Sequence, residues 1–166
     1  MVPALAMLAL GPATAIHVQT MRFAAGTGDP PFLAVPMSDI ISFAGLTVAG
    51  FLPRRRTPLH KRLMLLGTLA LADAGFGRLK LLLLGHWLTP IVGTGFLGGM
   101  LVGNSLSIPV PLAPAIYDLV TRGRAQAPII AATMWAVGWQ VAAEWLSGQA
   151  GWRGLTTQFV ARAAGN

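Results

Sequence analysis

The sequence predicts an all-α fold, a polytopic transmembrane bundle of about five helices forming one domain over residues 1–166. Three observations predict it. Charged residues make up 10% of the chain and hydrophobic ones 54%, against a charged share of roughly 25% in ordinary soluble domains. A soluble surface of this size needs more polar area, so the natural solvent is lipid. The apolar runs are continuous rather than alternating, which argues against a closed β-barrel, the other way to hide backbone polar groups in lipid. Finally, a basic cluster at Arg54, Arg55, Arg56, His60, Lys61 and Arg62 leads into a mostly apolar run ending at Leu84. That is the pattern of a membrane helix entered from the cytoplasmic face.

Helix one is expected over 2–22, rich in Ala, Leu and Met and bent at Gly11-Pro12. Ala13-Thr14-Ala15 resembles a signal-peptidase site, but no Lys or Arg precedes it and the apolar pattern continues past His17, so the helix is read as retained. Gly28-Asp29-Pro30-Pro31 marks a loop. Helix two is expected over 36–51, opened by Pro36. That is short for a span, which takes about 20 residues. Asp39 near its start suits the positive end of the helix dipole.

Pro53 and Pro58 stiffen the basic loop, and Thr57-Pro58 reads as an N-cap followed by N1. Helix three follows over 58–84. Gly93, Gly95, Gly98, Gly99 and Gly103 then open a glycine-rich stretch, with helix four over 95–119 and a break near Asn104 to Pro111. The four-residue spacing of Gly95, Gly99 and Gly103 predicts a close packing seam. Residues 118–126 read as a polar loop, 128–146 as helix five, and 147–166 as a peripheral or frayed tail.

With five spans, the N-terminus and the loops at 52–61 and 121–126 share one side. That side, with Arg62 included, holds seven Lys/Arg against five on the other. The bias places the N-terminus in the cytoplasm. The net charge of +7 follows the ends of apolar runs and is not interleaved with aromatics. It therefore points to topology and anionic lipid headgroups, not to nucleic acid. The absence of Cys excludes disulfides, iron–sulfur ligation and Cys-based zinc sites. No phosphate loop, Ser/His/Asp arrangement or zinc-helix motif is present, so no catalytic or metal-ligating set is assigned.

Four sets of polar residues are candidates for chemistry. Asp73 falls near the bilayer midplane, about 18 Å in from Lys61. It is either a proton or ion relay site or a buried acid paired with Arg78, Asn104 or another helix. Glu144 is the second intramembrane acid, placed near the end of helix five, where an interfacial pair with Arg153 or Lys80 explains it. His17 and His86 lie toward the same side and form the one pair able to hold a haem b between facing helices. The arginines Arg54, Arg55 and Arg56 are either a positive-inside anchor or a phosphate or acidic-lipid site.

The run from Arg54 to Leu66, with His60-Lys61-Arg62-Leu63-Met64 at the helix entry, resembles a group of uncharacterised bacterial multi-pass membrane proteins. Those proteins have an acidic residue followed by Arg inside the helix, matched here by Asp73 and Arg78. The likeness continues through Tyr117-Asp118-Leu119-Val120-Thr121-Arg122-Gly123-Arg124, after which such proteins often carry His-Pro. This chain has Gln126-Ala127-Pro128 instead. Members often have further N-terminal helices, so the chain looks like a shortened member. The resemblance implies the bacterial inner membrane and no established activity. A looser likeness, through the helix entry alone, reaches membrane families suspected in cytochrome oxidase assembly.

Three function classes follow. The first is a structural, assembly or scaffolding protein, acting with a membrane-protein partner or as a homo-oligomer. The second is a transporter or proton-relay component using Asp73. The third is a haem-binding electron carrier using His17 and His86.

Overall fold

The computed structural model describes residues 2–80, 90–91 and 109–165, with the side chains of 2, 73–80, 109 and 110 outside that description. The described residues are all-α. In chain order they form α1 (Val2–Ala24), a 3-10 turn (Pro30–Leu33), α2 (Ala34–Phe51), α3 (Thr57–Lys80), α4 (Pro109–Arg122), α5 (Ala127–Ser147) and α6 (Ala150–Ala164).

Two helical stretches among them, Pro3–Ala24 and Pro30–Phe51, are each 22 residues long and apolar enough to cross a membrane. The second corrects the expected length of helix two. Pro30 and Pro31 start a 3-10 turn that runs directly into α2, so helical structure begins six residues before Pro36. Asp29 is extended at φ −114°, ψ 92°, the region to which a following proline confines a residue. At about 1.5 Å per residue the combined stretch covers about 33 Å, enough for a span.

α1 stays helical through Pro12 and ends in a glycine stop. Gly26 has φ 71°, its N–H bonds the Phe23 carbonyl at 3.0 Å, and the Thr27 N–H reaches back to the Arg22 carbonyl at 2.9 Å. This is a Schellman closure, which satisfies two carbonyls that the helix end would leave unpaired. Gly28 is required by contact. A Cβ there would lie 2.5 Å from the Phe23 backbone nitrogen.

The α2–α3 hairpin is the centre of the bundle. Leu46 of α2 packs with Leu63 and Leu66 of α3 and with Ile129, Ala132 and Ala136 of α5. Ile129, Ala132, Thr133, Ala136, Gln140 and Ala143 are buried and recur with helical period, forming a single inward stripe on α5. Gly67 lets α3 approach α2, with Leu46 Cβ 3.4 Å from where its own Cβ would be. α1 lies at the edge, with only 6% of its apolar stretch buried against 44% for Pro30–Phe51.

Residues 150–164, expected as part of a peripheral or frayed tail, are helical. α6 packs against α1 and the 3-10 turn, with Thr156 and Val160 buried. The Trp152 indole N–H donates to the Pro31 carbonyl at 3.0 Å. The described residues thus hold six helices where five were expected. The expected extension of helix three over 81–84 and of helix four over 95–108, with the seam of Gly95, Gly99 and Gly103, lies outside the described residues.

Candidate functional site

The most structured polar site sits where the α2–α3 loop meets the α4–α5 loop. Arg62 lies in the second turn of α3 and Asp118 in the last turns of α4. Arg62 Nη1 donates to Asp118 Oδ2 at 2.7 Å and lies 2.6 Å from Oδ1. Asp118 is 0% exposed and Arg62 16%, so the pair is held almost without water. Arg122, one turn after Asp118, brings Nε to 3.7 Å from Oδ1 while staying half in solvent. A cation there also suits the negative end of the α4 dipole. Gly123, at φ 68°, ends α4 and turns the chain toward Gln126. With its amide oxygen toward the guanidiniums, the orientation its surroundings require, Gln126 accepts from Arg122 at 2.8 Å and from Arg62 at 3.2 Å. One carboxylate and one amide oxygen therefore tie together the starts of α3 and α5 and the end of α4.

Above this cluster lies an open cleft of about 660 Å³ lined by Arg56, Arg122 and Arg124 with Leu59, Gln126 and Pro128. No acidic side chain lines it. Asp118 beneath is committed to Arg62 and, more weakly, to Arg122. Arg56 and Arg124 are exposed, and neither forms an ion pair among the described residues. The cleft thus carries surplus positive charge suited to an anion.

The basic cluster expected from the sequence divides into three parts. Arg56 faces the cleft and Arg62 enters the buried pair. Arg54, Arg55 and Lys61 are exposed and do not line the cleft. His60 turns inward, its Nδ1 2.8 Å from the Gly50 carbonyl and its ring 6.1 Å from that of Phe51. A carbonyl only accepts, so Nδ1 carries the proton and His60 clasps the hairpin. It is not one of the outward cations. Nor does Thr57 cap α3. The Arg56 carbonyl takes the His60 N–H at 3.0 Å, so Thr57 is the first helical residue, a shift of one position.

His17 is exposed on α1, and Glu144 is half-buried one turn before the end of α5. Asp73 and Arg78 lie on α3 with side chains outside the described residues, and His86 lies outside them altogether. Asp39, expected beside the start of helix two, is buried in the second turn of α2.

Asp118 and Gln126 are the site residues that the sequence reading missed, having placed both in a polar loop. The available signal was Asp118 four residues before Arg122, the spacing that brings two helical side chains together. Comparison of the chain with protein-family models, with characterised proteins and with solved structures returns no match.

Proposed function

We propose that this chain is a polytopic protein of the bacterial inner membrane, related to the uncharacterised multi-pass group it resembles, with a structural, assembly or scaffolding role. Its N-terminus and its Arg54–Arg62 loop face the cytoplasm. The observation that carries this reading is where polarity sits. Among the described residues, nine polar side chains are buried, including Gln19, Ser42, Thr133 and Gln140, while 22 large hydrophobics are exposed, with some on each of the six helices and on the intervening turn. An exterior of this kind is stable against lipid or against another membrane helix, and is a liability in water.

The polar interior ties elements together. Gln19 bonds the Asp29 carbonyl, Thr133 the Pro111 carbonyl and Trp152 the Pro31 carbonyl. Each bond links two elements, which suits a body that holds its shape for a partner. The test has two parts. Membranes from expressing cells are washed with alkaline carbonate, and the chain is expected to stay in the pellet. Solubilised in mild detergent, it is expected to migrate on a native gel in a complex larger than the monomer. Release by carbonate overturns the membrane reading. Migration as a monomer directly from native membranes overturns the assembly role.

A further inference from the structure

Next to the basic cleft runs an apolar groove of about 490 Å³ between α2, α3 and α5. Gly45, Ala49, Leu63, Ala131 and Trp135 line it, with Pro128 shared with the cleft. Leu59 and Pro128 line both the groove and the cleft, so the two adjoin there and together make a depression that is cationic on one side and apolar on the other. From Pro128 to Trp135 the groove follows seven residues of α5, about 10 Å of helix. Gly45 lets the Trp135 indole lie directly against α2. A Cβ at 45 would lie 2.8 Å from the indole nitrogen. Trp139 meets Trp135 edge-on at 5.7 Å and fixes that wall.

We infer that this depression is a binding site for an anionic glycerophospholipid, with the phosphate on Arg56 and Arg124 and the upper part of one acyl chain in the groove. The inference rests on the membrane reading above. The charge selects an anion, because the cleft has three arginines and no acid. The apolar groove adjoining it selects a lipid. A free phosphate fills only the cleft and leaves the groove unexplained, and a zwitterionic headgroup brings a cation against Arg56 and Arg124. Ordinary boundary lipids touch convex helix faces. This groove is concave, and its chemistry changes where a headgroup joins its chains.

The experiment is native mass spectrometry of the purified full chain in detergent, titrated with phosphatidylglycerol and with phosphatidylcholine of the same chains. One phosphatidylglycerol is expected to bind at least about tenfold more tightly than phosphatidylcholine, since each arginine near a headgroup contributes about a factor of five. Arg56→Gln with Arg124→Gln is expected to abolish that preference. Arg54→Gln with Lys61→Gln removes equal charge from exposed positions outside the cleft and is expected to keep it. Ala131→Trp, which fills the groove from an exposed position, is expected to weaken phosphatidylglycerol binding with the arginines intact. Equal binding of the two lipids overturns the inference, and so does equal loss in both charge-removal pairs. Inorganic phosphate that displaces the lipid at matched concentration, together with unaltered binding in Ala131→Trp, makes the cleft an anion site without a lipid. A chain that carbonate releases from membranes fails at the earlier reading. A chain that stays in the membrane but shows no preference fails only here.

Discussion

Asp118 decides more of this structure than its place in a short loop-like stretch suggested. A carboxylate with no solvent exposure, held by one guanidinium, is stable only while its partner remains. Asp118→Ala leaves Arg62 buried with only Gln126 to satisfy it, and is expected to cost about 3–5 kcal/mol. The double change Arg62→Met with Asp118→Leu removes both charges and is expected to cost less than either single change. Thermal unfolding in detergent checks this, and a double variant worse than Asp118→Ala would sink it. The pair spans 56 residues, and no local pattern reports which distant acid an arginine meets. What was legible was the basic cluster itself and the helix it starts. Gly45 offers a second case. A methyl there meets the Trp135 ring below 3 Å, so Gly45→Ala is expected to lower stability by about 1–3 kcal/mol. Trp135→Leu should recover most of that loss in the same background, because the two positions share one contact. If the two losses simply add, the contact is not what makes Gly45 necessary.

The helices were legible where apolar runs met proline or glycine. α1, α2 and α5 begin and end within a few residues of where the pattern put them, and α3 begins within one. The departures have local causes. Pro30-Pro31 was read as loop punctuation, yet proline fixes φ near the helical value and needs no donor in a first turn, so it initiates instead of interrupting. α6 was missed because glycines, Thr and Arg dilute its apolar content. Its inward positions, Trp152, Thr156 and Val160, nonetheless recur every four residues. Val160 is 0% exposed, so Val160→Asp is expected to detach α6 from the bundle. Trp152→Phe keeps the ring and removes only the bond to Pro31, at an expected cost of about 1 kcal/mol. Proteolysis near Gln149 reads the difference. Rapid cleavage of Val160→Asp and slow cleavage of Trp152→Phe is the expected order, and protection of Val160→Asp would show that α6 is held by something other than its buried face.

Among the described residues, the bundle buries nine polar side chains beside its apolar core and leaves 22 large hydrophobics exposed. Composition made that legible in advance, since a chain with so few charges has little else to show to a solvent. In the proposed membrane reading, the direction of the chain across a bilayer is a separate matter, resting on where arginines and lysines fall. Thr57 is exposed beside the arginines, and the chain has no cysteine to compete. Thr57→Cys is therefore expected to react with a membrane-impermeant maleimide in inverted vesicles and to stay unlabelled in intact cells. Labelling from outside intact cells reverses the orientation.

The bond from Trp152 to Pro31 joins positions 121 residues apart, and this has a consequence in time. At about 5–20 residues per second of synthesis, the turn before α2 waits about 6–24 s for the indole that closes on it. Through that interval α1 has none of its later contact with α6 and, among the described residues, packs only on α2 and the turn. A chain that stops before Trp152 is therefore expected to hold its first helix less firmly than the full chain does, which faster proteolysis within α1 would show.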